Sequence, residues 1–598
     1  MPNHDISLCM IVKNEEANLE RCLNSVHDLV DEIIVVDTGS TDKTVEIAKK
    51  YNAKVHYFPW CNDFSAARNE SLKYASKNWI LIMDGDDEFC KEDKEKFRNL
   101  IEKGLNEDII YFFQTLNYSG YSVNSNDISI NLNPRLFKNN YGFHYEGKIH
   151  NQLVNHEKDV QGKAYDIRIY HYGYLNKSII SKDKRNRNIT LLKEQIQKGE
   201  DIKFAYFNLG NEYFALNDKK SALENYYKSY EDFDPNTGYA SRLIERIIIS
   251  NYMLKNYDKA LDFVDIGIKY YPNFTDLYYL KGIILEEKNS PILAIKAFER
   301  CLELGEPPLA LKSIYGVGGF RPKYELSTIY MDLKDYDTAY KYSVETIKSK
   351  PDFLVPLYNI CHILKEKKFS VKDMKKILEN FFTDFPREYP IIADLFYMEG
   401  YYNTALEYIN KSEEAGTFSD DLKIFKVKSL LYSCKIDECI EYIDTIEEKN
   451  LYYFQIMMYK ALCFIMKDKY DLAIVSINQF NKSNLSEHNN TTLKVYKEFL
   501  NMFTNKNTNI LSEDKTMLDY TPVIFQICEV MLVNKEFAKF EKALNLLNLI
   551  SDESVLLNLG KLYFKHGYNK MAKKEIIRSI KIFEIIDKEG IDILKALL

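Results

Sequence analysis

WILIMDGDDEF, residues 79–89, decides the reading of this chain, because an apolar run suited to a buried strand ends abruptly in Asp84, Asp86, Asp87 and Glu88. A strand that delivers carboxylates at alternate positions to its carboxyl end places hard oxygen donors where open α/β sheets bind their ligands. Mg²⁺ and Mn²⁺ favour carboxylate, water and phosphate oxygens, and Mg²⁺ often keeps only one or two protein carboxylates while phosphates complete its shell. The glycine between the acids, Gly85, leaves room for a diphosphate to approach the backbone. In a chain with 88 acidic residues, Asp-x-Asp alone is equally a solvated strand end. The flanking sequence distinguishes the two.

Ile6 to Val12 (ISLCMIV) has the character of a buried parallel strand. Lys13, Asn14, Glu15 and Glu16 follow, then a helix with Leu19, Cys22, Leu23 and Val26 on one face. A second unit repeats the pattern: the strand EIIVV (32–36), the loop from Asp37 to Asp42, and a helix from about Lys43 to Tyr51. Strand, polar Gly/Ser/Thr loop and helix in alternation indicate a nucleotide-binding α/β fold. Asp37 ends its strand, where its carboxylate can accept from a base N–H or a ribose hydroxyl, whereas Asp42 reads as a helix cap. The loop is neither a Walker A sequence nor GxGxxG, so a P-loop kinase and a dinucleotide dehydrogenase are not supported. Arg68 is the only arginine in NDFSAARN (62–69); its fork suits a phosphate, and a salt bridge to a neighbouring acid fits the spacing equally well.

Four motifs in this order and spacing, SLCMIVKNEEANLERCLNSV, EIIVVDTGSTDKT, NDFSAARN and WILIMDGDDE, resemble the nucleotide-binding half of glycosyltransferase family 2, the inverting GT-A fold enzymes. NPRLFKN (133–139), GKIHNQL (147–153), IRIYHYGY (167–174) and KRNRN (184–188) resemble the subgroup whose catalytic domain continues into tetratricopeptide repeats. That subgroup includes enzymes that glycosylate peptides or proteins, bacteriocin S-glycosyltransferases among them. The resemblance implies that Val12, Asn14, Glu15 and Asp37 hold the nucleoside and that Arg68 faces the diphosphate. It also implies that Asp84 lies by the ribose, that Gly85 belongs to the nucleotide-sugar site, and that Asp86 binds Mn²⁺ or Mg²⁺. His171 takes the place of the late histidine that completes such a metal site, with His150 as second choice. Many relatives read His-Glu where this chain reads His150-Asn151, and that glutamate falls near the expected catalytic base. Asparagine cannot take a proton, so Glu146 is the substitute base for a hydroxyl acceptor. A cysteine acceptor needs less help, because a thiol pKa near ~8.5 leaves some thiolate at neutral pH.

At 598 residues the chain exceeds one core. Strands and helices alternate to about residue 180, and nearly everything beyond about 200 reads as helix. FAYFNLGNEYFALNDKKSALENYYKSYEDFDPN (204–236) fits a tetratricopeptide unit, with Gly210, Tyr213, Ala222 and a Pro235 stop. The equivalent small residue recurs at Ala260, Ala294 and Ala339, then at Ala405, Cys439 and Ala473, with degenerate successors around Ala543 and Ala572. Such helix pairs must stack into a superhelix to cover their apolar faces. PPLALKSIYGVGGFRP (307–322) interrupts the period and reads as an inter-repeat bend, or as a loop reaching toward the active site.

The expected architecture is an α/β GT-A (Rossmann-like) catalytic domain over 1–195, an all-α tetratricopeptide-repeat superhelix over 200–355, and further degenerate helical repeats over 356–598. A net charge of −8 argues against a nucleic-acid partner. Ten cysteines without a CxxC pair or disulfide framework, no apolar run of membrane-spanning length and no signal-like start point to a cytoplasmic protein. The expected activity is metal-dependent transfer of a sugar from a nucleotide donor, UDP-linked in the first instance, to a protein or peptide acceptor recruited by the repeats. A glycan or lipid-linked acceptor is the alternative within the class. A non-catalytic scaffold with a nucleotide-sugar-sensing domain is the alternative outside it, and a homodimer through the repeats is compatible with either.

Overall fold

A computed structural model describes residues 5–120, 128–149, 151–175, 180–199, 201–383, 387–417, 419–480, 485–504 and 520–597. The chain forms two compact units, Met1–Ile360 and Cys361–Leu598.

The first unit opens with β1 (Ile6–Val12), α1 (Leu19–Val26), β2 (Glu32–Asp37), α2 (Thr44–Lys50), β3 (Lys54–Tyr57), α3 (Phe64–Lys73) and β4 (Trp79–Ile82). Then come β5 (Asp87–Phe89), α4 (Lys94–Glu102), β6 (Ile109–Gly120), β7 (Ile128–Lys138), β8 (His144–Glu146), β9 (Gln152–Val154) and β10 (Gln161–Leu175). Among the described residues, eight strands form one sheet in the order β3-β2-β1-β4-β7-β6-β10-β5, and β8 with β9 forms a separate hairpin. Strands β1 to β4 are mutually parallel. β7 enters antiparallel to both β4 and β6.

Strand alternation explains why the first strands are largely apolar. Leu8 and Met10 pack with Leu19, Leu23 and Phe97 on one face of the sheet. Cys9, Ile34, Ile80 and Ile82 pack with Phe137 and Tyr145 on the other. Both faces are covered, so the interiors of β1, β2 and β4 are apolar except at Ser7, which is buried and donates to Glu32 Oε2 at 2.5 Å. The carboxyl ends of β1, β2 and β4 therefore meet at one edge, carrying Val12, Asp37 and the Asp84–Asp87 turn.

From Ile180 onward the described elements are helices, apart from one isolated bridge. In the first unit, α5 (Ile180–Lys198) leads into the antiparallel pairs α6 (Ile202–Ala215) with α7 (Lys219–Tyr230) and α8 (Ala240–Met253) with α9 (Tyr257–Tyr270). The pairs α10 (Thr275–Glu287) with α11 (Pro291–Leu304) and α12 (Phe320–Asp332) with α13 (Tyr336–Ser349) follow. Ala222, Ala260, Ala294 and Ala339 are all fully buried, as are Ala405, Cys439, Ala473, Ala543 and Ala572 in the second unit. The small residues on the first helix of a pair have a matching reason. A Cβ on Gly282 would lie 2.5 Å from the Phe298 ring, and one on Gly210 would overlap Tyr226. The same sixteen-residue offset brings Ser327 Oγ to 2.6 Å from Ser343 Oγ, a buried hydrogen bond. Among the described residues, no helix is long and apolar enough to cross a membrane.

The segment 307–322 is more than a bend between repeats. β4 pairs only with the far end of β7, Leu136 to Lys138, which leaves the first residues of β7 without a strand neighbour on that side. Ser313 to Tyr315 fills the gap: Ile130 N donates to Ser313 O at 2.7 Å, and Ser129 bridges Ile314. Buried acids of the repeats hold the segment in place. Asp276 Oδ1 accepts from Ile314 N at 2.6 Å, and Glu245 Oε2 accepts from Ser313 Oγ at 2.8 Å. Burial and the nearby Glu245 charge push Asp276 up to about 7. Arg242 balances the pair, donating to Glu245 Oε2 at 3.2 Å and to Ile130 O at 3.1 Å.

We expect Gly282→Ala to destabilise the protein by about 1–3 kcal/mol through overpacking against Phe298. Gly238→Ala, where a Cβ meets nothing within 4 Å, is the control. Urea unfolding of the two variants compares them directly.

Candidate active site

The turn after β4 is organised around Asp87, whose side chain is fully buried. Its Oδ2 accepts from Arg135 Nη1 at 2.8 Å and from the backbone N–H of Asp84 at 2.8 Å. Arg135, on β7, is itself 3% exposed and donates further to Ile82 O at 3.2 Å and Thr115 Oγ1 at 3.0 Å. The other carboxylate oxygen of Asp87 meets His171 Nδ1 at 3.0 Å, across the antiparallel pairing of β10 with β5.

The same nitrogen also stands beside Asp86. His171 Nδ1 lies 3.5 Å from Asp86 Oδ1, and both side chains are mostly shielded, at 18% and 19% exposed. A Cβ on Gly173 would lie 2.7 Å from His171 Nε2 and would overlap Asp86 Oδ2. A carboxylate oxygen and an imidazole nitrogen thus face one small space that only glycine leaves open. Burial, with the charges of Asp84, Asp87 and Glu15, pushes Asp86 up to about 6 against the opposing pull of His171. Burial alone would lower the His171 imidazole, but its bond to Asp87 and the charges of Asp86, Asp87 and Asp84 raise it to about 9. One oxygen and one nitrogen donor fit a divalent cation that completes its shell with phosphate oxygens and water.

Asp84 faces Arg68, which donates to Asp84 Oδ1 at 2.7 Å from α3. Burial would raise Asp84, yet Arg68, Arg135 and His171 hold it well below the usual carboxylate range. Arg68 also lies over the Tyr145 ring, 5.6 Å from its centroid. Gly85 owes its lack of a side chain to a protein neighbour, since a Cβ there would stand 2.9 Å from Glu15 Cγ.

At the adjoining strand ends, Asp37 is 3% exposed and accepts from Ser40 N at 3.1 Å. Val12 O accepts from Thr38 N at 3.0 Å, tying β1 to the loop after β2. Asn14, at φ 55°, accepts from Thr41 N at 2.8 Å, and Glu15 N donates to Thr44 Oγ1 at 2.7 Å. Asp42 precedes α2 and accepts from Thr44 N at 3.0 Å, while Lys43 holds the N-cap position.

The structure therefore brings together Val12, Asn14, Glu15 and Asp37 at the first two strand ends, and Arg68, Asp84, Asp86 and His171 around the turn. Glu146 stands apart. Alternation along β8 turns Tyr145 inward and Glu146 outward, where its Oε1 stands 3.0 Å from His144 Nε2 and 2.8 Å from His156 Nε2. Asn151 is half-buried, and its Nδ2 has no hydrogen-bond partner among the described residues. His150 lies outside the described residues. Three residues that the sequence reading passed over do much of the positioning: Asp87, Arg135 and Gly173. The arginine in NPRLFKN was the available signal, a basic residue directly before the apolar pair Leu136 and Phe137.

Comparisons with known proteins bear on both parts of the chain. Residues 7–162 match the model of glycosyl transferase family 2, and residues 205–231 and 275–304 match the tetratricopeptide repeat model. The SPbeta prophage-derived glycosyltransferase SunS of Bacillus subtilis is 30% identical over 291 residues, 47% of this chain and 66% of that protein. A TPR repeat-containing protein of Synechococcus elongatus is 47% identical over 98 residues, 16% of this chain and 24% of its own length. The crystal structure of S. aureus TarS 1–349 in complex with UDP-GlcNAc aligns at 15% identity and a TM-score of 0.24, covering 43% of this chain and 88% of that one. The chain spans 66% and 24% of the two curated relatives. It carries a family 2 glycosyl transferase domain followed by tetratricopeptide repeats.

Two outcomes follow from the geometry. Arg135→Ala leaves the Asp87 carboxylate buried without its cation and is expected to lower stability by about 3–5 kcal/mol, read from denaturant unfolding. Mn²⁺ binding, followed by titration calorimetry, is expected to strengthen as pH rises from about 6 to about 9, because the cation must displace protons from Asp86 and His171.

Proposed function

We propose that this chain is an inverting glycosyltransferase that moves a sugar from a nucleotide donor, a UDP-sugar in the first instance, to a protein or peptide acceptor in the cytoplasm. The observation that carries the reading is the convergence of Asp86 and His171 on the space beside Gly173, next to the strand ends that hold Asp37. A divalent cation held by Asp86 and His171, Mn²⁺ or Mg²⁺, supplies positive charge to the departing diphosphate when bound.

The chain's own residues do the rest. Asp37 accepts from the nucleoside at the end of β2, while Val12, Asn14 and Glu15 shape the wall against which it lies. Asp84 and Gly85 face the ribose, and Arg68, held by Asp84, directs its remaining guanidinium N–H groups to the diphosphate. Inversion is one in-line displacement at the anomeric carbon: the acceptor atom bonds as the diphosphate leaves, and the acceptor loses its proton. Asn151 cannot take that proton, and Glu146 is engaged by two histidines on the outer face of its hairpin. The site is thus better suited to an acceptor that ionises readily. A cysteine thiol, with a pKa near ~8.5, meets that requirement and favours a peptide or protein over a glycan. The helical repeats supply the extended surface on which such a chain is recruited.

Donor hydrolysis tests the reading. The purified protein is incubated with UDP-, GDP- and dTDP-sugars and Mn²⁺, and released nucleotide is measured. We expect release from one donor, abolished by chelator and reduced about 10²-fold or more by Asp86→Ala. Donor binding without any release, even when cysteine peptides are added, would instead favour a nucleotide-sugar-sensing scaffold.

A further inference from the structure

The outer face of the β8–β9 hairpin carries a second set of donors away from Asp86. His144 and Glu146 are two residues apart on β8 and so share a face, and His156 follows β9 on the paired side. Glu146 Oε1 lies 3.0 Å from His144 Nε2 and 2.8 Å from His156 Nε2. The two imidazole centroids are 5.5 Å apart, and the three ligand atoms all lie within 4.8 Å of one another. Donors about 2.0–2.2 Å from a tetrahedral ion stand roughly 3.3 Å apart, so these side chains need only a small adjustment to enclose one.

The protonation pattern gives an independent reason. His144 Nδ1 lies 3.2 Å from Gly142 O, and a carbonyl can only accept, so Nδ1 carries the proton. In a neutral ring Nε2 is then a bare lone pair, yet it points at a carboxylate oxygen. Two lone pairs at 3.0 Å repel unless a positive charge stands at that nitrogen, supplied by a second proton or by a metal ion. An imidazole whose other nitrogen donates to a backbone carbonyl is the usual arrangement of a metal-bound histidine. The turn presenting His156 is also fixed: Asn155 Oδ1 accepts from Glu157 N and Lys158 N, each at 3.0 Å, and Asn155 Nδ2 donates to Tyr141 O at 2.8 Å.

We propose that His144, Glu146 and His156 form a transition-metal site, selective for Zn²⁺ over the harder Mg²⁺, separate from the site at Asp86. Two imidazoles and one carboxylate are a three-ligand zinc set, with the fourth position open to water. The hairpin connects this site to the other face of the fold. Between the two outward ligands, Tyr145 turns inward under Arg68, and its backbone N–H and C=O both bond the Asn69 side chain. The ion would clamp the strand that supports the donor-facing arginine.

Titration calorimetry of the full chain with Zn²⁺, in reducing buffer, tests the site. Wild type and Asp86→Ala are each expected to bind an equivalent of Zn²⁺ that the double variant His144→Ala/His156→Ala has lost. Co²⁺ added to Asp86→Ala should give the intense visible absorption of a tetrahedral ion, absent from the double variant. These side chains are 42% and 65% exposed, so the double variant should keep its thermal midpoint without added metal, and Glu146→Gln should weaken Zn²⁺ about tenfold or more. An unchanged Zn²⁺ stoichiometry in a folded double variant overturns the proposal. So does loss of that equivalent in Asp86→Ala alone.

Discussion

The site hangs on one buried ion pair, Arg135 with Asp87. A carboxylate with no exposed side-chain surface is tolerated only because a guanidinium, a backbone N–H and an imidazole nitrogen share its oxygens. Those partners come from four elements: β7 gives Arg135, the turn after β4 gives Asp84 N, β6 gives Thr115 to the guanidinium, and β10 gives His171. The pair therefore fixes where four pieces of chain meet. Because Asp87 engages Nδ1, it fixes the orientation of the His171 ring beside Asp86.

The same division explains what could be read from the sequence. The alternating strands and helices, the ends at Asp37 and Asp84, and the pairing of Asp86 with a late histidine were legible because each belongs to a local pattern or a quoted motif. Asp42 was read as a cap and does bond the first residue of α2, but the N-cap position itself falls to Lys43. Arg135 was not, since its meaning depends on an acid 48 residues earlier that only the sheet order brings beside it. Gly173 was equally silent, because its role is to leave space for two other side chains. Gly85 was read as room for a diphosphate, whereas the neighbour that forbids a side chain there is Glu15. Glu146 was chosen for its place beside the HN dipeptide, but the two-residue alternation of β8 aims it away from Tyr145.

The repeats were legible for a steric reason that survives sequence drift. Each pair needs a small residue where two helix backbones approach, so alanine, cysteine, glycine or serine persists while the exposed faces vary. Degenerate units such as those at Ala543 and Ala572 keep that position fully buried. The break at 307–322 was visible as a lapse in period, although its purpose was set by a strand almost two hundred residues away.

That segment has a consequence for how the chain can be divided. An unpaired strand edge is a template for pairing with another molecule. Ser313–Tyr315 covers the bare edge of β7, and Tyr315 packs on Leu116, Ile128 and Ile130. The catalytic sheet and the repeats are thus not independent modules joined by a tether. A fragment ending near residue 200 would retain every residue named around Asp86, yet it would display raw backbone and an apolar patch to its neighbours. Such a fragment would be prone to self-association, and the connection between the third and fourth helical pairs serves as its built-in chaperone.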